Sequence, residues 1–109
     1  MNYRVHETQI QIRNRLGMHA RPAAQFVRCA SRFAADVFVS RDGIEVNGKS
    51  IMGVMMLAAE QGSEIRIRAE GADAENAVRE LAELVQQGFH EDDEGRPLRS
   101  GGEPDPADS

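Results

Sequence analysis

Two short stretches of the chain alternate strictly. Across His6 to Arg13, the residues Thr8, Ile10 and Ile12 share one face, while Glu7, Gln9, Gln11 and Arg13 share the other; in EIRIRA, Ile65 and Ile67 oppose Arg66 and Arg68. A strand with one dry face and one wet face belongs to a sheet covered on one side only. The rest of the chain must supply that cover. Tyr3 and Val5 have the opposite parity to Thr8 and Ile10, so the first strand either starts after them or contains a bulge.

The segments between the two strands carry other periods. Ala23, Phe26, Val27, Ala30, Phe33 and Ala34 follow helical spacing, which predicts an amphipathic helix from near His19 or Ala20 to about Phe33. In ADVFVSRDGIEVNG, two β-rich runs flank Asp42-Gly43, a dipeptide suited to a tight hairpin turn. SIMGVMMLAAEQG follows, with Ser50 as N-cap, Gly53 as a weak point and Gly62 as a stop, and predicts a short helix. From Ala74 to Gln87, Ala77 or Val78, Leu81, Leu84 and Val85 recur at helical spacing before Gly88. The order is βαββαβα. The expected fold is α+β, an open-faced β-sandwich in which a four-stranded antiparallel sheet is covered on one face by three helices.

Residues 1–90 are expected to form a single domain, and 91–109 a disordered acidic tail. Residues 1–90 hold 11 basic and 11 acidic side chains, whereas 91–109 hold seven acids, two arginines and three of the four prolines. Such a tail has too little apolar surface to offset its ordering entropy. Within the domain, residues 1–55 carry eight basic and four acidic residues, a mildly basic half. Cys29, the single cysteine, excludes an internal disulfide and suits a small helix position. No stretch of about 18 apolar residues is present for a membrane span, and MNYRVHETQ does not read as a secretory signal. The expected setting is therefore cytoplasmic.

The chemistry concentrates in LGMHARPAAQF. Pro22 is tolerated in a first helical turn, where amides have no intrahelical partner, so the helix start lies close to His19. Helix starts present free amides and about half a positive charge, and Arg21 adds a fork of donors for phosphate oxygens. That end of a helix disfavours a second ring proton on His19 and leaves one ring nitrogen free to attack an electrophile. A phosphoryl group suits the place, because its transfer asks mainly for positioning and charge stabilisation. Gly17 supplies a compact loop that keeps the ring exposed, with Ala20 beside it. A plain surface histidine near a cap is the alternative from spacing alone.

RLGMHARPAAQFV resembles the active-site signature of HPr, the histidine-containing phosphocarrier of the phosphoenolpyruvate-dependent phosphotransferase system, and the resemblance extends over about residues 6 to 89. It implies that His19, through Nδ1, accepts a phosphoryl group from enzyme I and passes it to a histidine of an enzyme IIA protein, with Arg21 as phosphate partner. The family's second signature stands here as NGKSIMGVM, and implies regulatory phosphorylation of Ser50 by an HPr kinase/phosphorylase; by position alone Ser50 is an N-cap. Ile51, Met52 and Met55, with Ala20 and Ala24, would then form a docking patch shared by both partners. NRLGMHARPA and QQGFHEDDEG resemble the nitrogen-related branch, whereas GKSIMGVMMLAAEQGSEI resembles the sugar-transport branch.

His6, His19 and His90 lack metal-ligand spacing, and no metal or cofactor is expected. There is no nucleotide-binding glycine loop, and aromatics at 5% give no platform for nucleic acid. The expected protein is a monomeric phosphoryl-transfer intermediate rather than a self-contained enzyme. Two rivals are a purely regulatory binding protein controlled at Ser50 and a small-ligand sensing domain, which shares the βαββαβ order.

Overall fold

The computed structural model describes residues 4–92, 96 and 97. Strands β1 (Val5–Gln11), β2 (Asp36–Arg41), β3 (Ile44–Asn47) and β4 (Glu64–Glu70) form one sheet in the order β1-β4-β2-β3, with every neighbouring pair antiparallel. Helices α1 (Ala20–Ala30), α2 (Ile51–Met56) and α3 (Ala74–Gln86) complete the βαββαβα order. The architecture is the expected open-faced α+β sandwich.

The alternation seen in the sequence sets the register. Thr8 pairs with Ile67 and Ile10 with Ile65, while Val39 and Val37 pair with Ile67 and Ala69 from the other side of β4. These residues make the dry face. Against it lie Pro22, Ala23, Phe26 and Ala30 of α1, and Ala74, Ala77, Val78, Leu81 and Val85 of α3, all buried. Fully burying the large ones among them, Phe26, Leu81 and Val85, contributes roughly 1.5–3 kcal/mol each, so the helices are held mainly by this floor. The wet face carries Glu7, Gln9, Arg66 and Arg68, and the Arg68 guanidinium lies 4.3 Å from the centre of the Phe38 ring.

Several boundaries differ from the sequence reading. Val5 begins β1 without a bulge: it pairs in register with Glu70 and lies on the wet face. Helix α1 ends at Ala30, three residues before Phe33, in a turn closed by Arg32 N donating to Cys29 O and Phe33 N to Ala30 O. Helix α2 stops at Met56, well before Gly62. The cause is tertiary: Arg41 Nη1 donates to the carbonyls of Leu57 and Ala58 at 3.0 Å each, Ala58 takes φ +48, and Ala59 is buried. Capping by a distant arginine overrides local propensity.

After α3 the chain makes a left-handed turn, Gly88–His90, in which Gly88, Phe89 and His90 all have positive φ. Phe89 is nonetheless fully buried in the core. The turn carries residue 91 inward. Glu91, which the sequence reading assigns to the tail, is buried, so the packed unit extends past position 90. Glu91 also bridges Pro97, and Asp92 and Arg96 exchange main-chain and side-chain hydrogen bonds. The remainder of the expected disordered tail lies outside the described residues.

A hydrogen-bonded carboxylate ties α3 to the end of α1. Asp73 accepts from Ala34 N at 2.9 Å and Ala35 N at 2.8 Å, and these amides, Ala34's first, hold its carboxyl below the usual 3.8. A lowered carboxyl contributes stability that is complete above the unfolded value and is lost as pH falls through the folded one. Asp73→Asn is therefore expected to be less stable than the parent at pH 7, with the gap closing as pH falls below about 3.8. Urea unfolding at pH 7 and at pH 3 checks this; an equal gap at both would contradict it.

Candidate functional site

The first turn of α1 is built by a loop that cannot be shifted along the chain. Gly17 N donates to Asn14 O at 3.1 Å, His19 N to Gly17 O at 3.0 Å, and Met18 N to Ala59 O at 2.8 Å. Met18 is buried, which anchors the loop to the core just before His19. Gly17 has φ +69, and a Cβ there would fall on the Ala59 carbonyl oxygen. Only glycine meets both conditions.

His19 is the N-cap of α1, with extended backbone (φ −83, ψ −171), and its side chain does not cap the helix. Its carbonyl accepts from Ala23 N at 3.0 Å, which closes the first turn. Because the ring is not used in capping, it is free for another partner. That partner is Glu91: His19 Nε2 lies 3.0 Å from Oε2 and 3.3 Å from Oε1. The imidazole is one-third exposed (33%), whereas the Glu91 side chain is fully buried (0%). One edge of the ring faces a carboxylate inside the protein while part of it stays open to solvent.

Asn14 braces this pair. Its Nδ2 donates to Gly17 O at 2.7 Å and to Glu91 Oε1 at 2.9 Å, while its buried Oδ1 has no hydrogen-bond partner among the described residues. The two acceptors fix the amide orientation. An orphaned buried oxygen costs about 1–3 kcal/mol, a cost that the two hydrogen bonds of Nδ2 offset. Neither Asn14 nor Glu91 stands out in the sequence reading. The signal that could have found them is a polar residue three positions from a glycine at each end of the domain pattern, Asn14 before Gly17 and Glu91 after Gly88.

The expected site residues fall into two groups. Gly17, His19, Ala20 and Arg21 share the loop and the first turn of α1, with Ala20 and Arg21 exposed and Ala24 half-buried one turn on. Ser50 opens α2, where its Oγ accepts from Gly53 N at 3.1 Å. Ile51, Met52 and Met55 are exposed, and α2 packs beside α1. Leu16 in the loop and Met56 on α2 are exposed as well, and neither belongs to the patch expected from the sequence. Val54 of α2 and Leu57, its C-cap, face the core.

The chain matches the family model described as "PTS HPr component phosphorylation site" over residues 6–87. The phosphocarrier protein HPr of Xylella fastidiosa (strain Temecula1 / ATCC 700964) is 46% identical over 86 residues, covering 79% of this chain and 97% of that protein. The HPr-like protein Crh of Bacillus subtilis (strain 168) is 46% identical over 81 residues, covering 74% of this chain and 95% of that one. The crystal structure of HPr-C-His from Thermoanaerobacter tengcongensis superposes with a TM-score of 0.77 at 45% identity, covering 80% of this chain and 98% of its own. An open-faced sandwich with a one-third-exposed histidine at the start of its first helix is thus a phosphocarrier fold. The chain belongs to the HPr family of the phosphotransferase system.

Gly17→Ala is expected to lose at least about 1–3 kcal/mol, the scale of strain for a side chain forced to positive φ, because its Cβ also meets Ala59. Urea unfolding measures the loss. A variant as stable as the parent would contradict the account of the loop.

Proposed function

We propose that His19 is the phosphoryl acceptor of this chain, and that it takes the group from phosphorylated enzyme I and passes it to a histidine of an enzyme IIA protein. One observation carries the reading: the His19 ring is part-exposed at the N-cap of α1, outside the capping bonds and beside an exposed Arg21. The lone pair of a ring nitrogen forms the N–P bond as the N–P bond of the donor histidine breaks. The metaphosphate-like group in flight carries its negative charge toward the first-turn amides and the Arg21 guanidinium. Return of the group to the acceptor is the same step reversed. No bound cofactor or metal takes part at this chain.

The exposed Leu16, Ile51, Met52, Met55 and Met56 supply the docking surface, with Ala20 and Ala24 leaving room beside the ring. Methionine side chains repack easily, and one surface can accept two partners in turn. A carrier has to leave each partner quickly, so a small interface of roughly micromolar affinity suits it, and the chain works as a monomer in the cytoplasm. Among the described residues no helix is long and apolar enough to cross a membrane. Phosphorylation of Ser50 by an HPr kinase/phosphorylase would put a doubly negative group at the edge of the apolar patch and oppose docking by charge and desolvation.

Incubation with enzyme I, Mg²⁺ and phosphoenolpyruvate is expected to add one phosphate, read by intact mass and lost on brief acid treatment. His19→Ala is expected to add none, and Ser50→Ala to add it as the parent does. Phosphate on His19→Ala would refute the assignment of the acceptor. Loss of uptake in a folded Ser50→Ala variant would move the function to the second signature.

A further inference from the structure

The contact between His19 and Glu91 selects which nitrogen of the ring can react. A carboxylate accepts hydrogen bonds and donates none. With Glu91 Oε2 at 3.0 Å, the proton of the neutral imidazole sits on Nε2, and the lone pair is left on Nδ1. We propose that Glu91 is a positioning residue: it holds His19 as the Nε2–H tautomer with Nδ1 presented for phosphoryl transfer. The inference rests on the reading of His19 as the acceptor and adds to it a residue from beyond the expected end of the domain.

The surrounding structure fits a dedicated role. The carboxylate is fully buried, and a buried charge is retained only with partners. Among the described residues its donors are His19 Nε2 and Asn14 Nδ2, and Asn14 is itself held by the Gly17 carbonyl with its own oxygen left unpaired there. The chain reaches this point through Phe89 and His90, two non-glycine residues at positive φ, with Glu91 N closing the turn on Gly88 O at 3.1 Å. Burial of Phe89 compensates for that backbone. Helix α3 thus ends in a turn that costs conformational energy and delivers one carboxylate to the ring.

The electrostatics change sign in a useful way during transfer. When Nδ1 forms its bond to phosphorus, the Nε2 proton stays in place and the ring gains a formal positive charge. Glu91 faces that charge at hydrogen-bond distance, as the buried aspartate does for the imidazolium of a serine-protease triad. The carboxylate also stands at the ring edge opposite the phosphorus, where its repulsion of the phosphoryl oxygens is weakest. Holding the ring in one tautomer and one orientation spares the transfer step that ordering.

Long-range ¹H–¹⁵N correlation spectra of the full-length, unphosphorylated protein, taken where the ring is neutral, read the tautomer directly. The expected result is a protonated Nε2 and an unprotonated Nδ1 for His19. In Glu91→Gln and Glu91→Ala, the Nδ1–H form should gain population, and the rate of phosphate uptake from enzyme I should fall about tenfold, the scale of one hydrogen bond to a charged group. A wild-type ring protonated on Nδ1 overturns the proposal without any variant. So does a wild-type transfer rate in both folded variants, whatever their tautomer. The spectra involve no enzyme I, so failure of His19→Ala to abolish uptake would refute the acceptor assignment while leaving the tautomer result separately legible.

Discussion

The main-chain hydrogen bond from Met18 N to Ala59 O carries more of this structure than its single bond suggests. It ties the loop before α1 to the segment after α2, and so joins the two sequence signatures in space. The bond depends on Gly17, whose missing Cβ allows the two backbones to approach. Pro22 then sits in the first turn of α1, where its missing N–H costs no intrahelical bond. His19 is left as an N-cap whose ring has no capping duty. The ring is left available by main-chain geometry before any side chain acts on it.

From this constraint the rest of the site follows in order. The helix supplies amides and a positive end, Arg21 brings a charge to the same turn, and Asn14 spans the loop to reach Glu91. Core and site share parts: Met18 and Phe89 are buried core residues, and each stands directly beside a functional segment. The stability of the sandwich therefore fixes the geometry of the ring. By contrast α2 contributes only Val54 to the core, and its Ile51, Met52, Met55 and Met56 side chains are exposed.

Much of this was legible in the residues. The period-two runs in β1 and β4 predict both the dry face and its single cover, and the structure places those isoleucines where the parity requires. The HARP segment locates the helix start, since a first-turn proline leaves few other choices. What escaped reading was decided by distant contacts. Arg41 ends α2 from another strand, and no local pattern near Met56 announces it. Glu91 heads an acidic, proline-rich run whose composition reads as tail, yet it is drawn in because Phe89 buries itself through a left-handed turn. Composition averages over a segment, and one buried aromatic can reassign its first residues.

On the proposed reading, this fold presents one nitrogen of one histidine to a phosphoryl group. The most direct test is to phosphorylate uniformly ¹⁵N-labelled protein with enzyme I and phosphoenolpyruvate, and to locate the phosphorus by its scalar coupling to nitrogen. The account predicts coupling to Nδ1 of His19, with Nε2 still protonated beside Glu91. Coupling to Nε2, or to any residue other than His19, would contradict it.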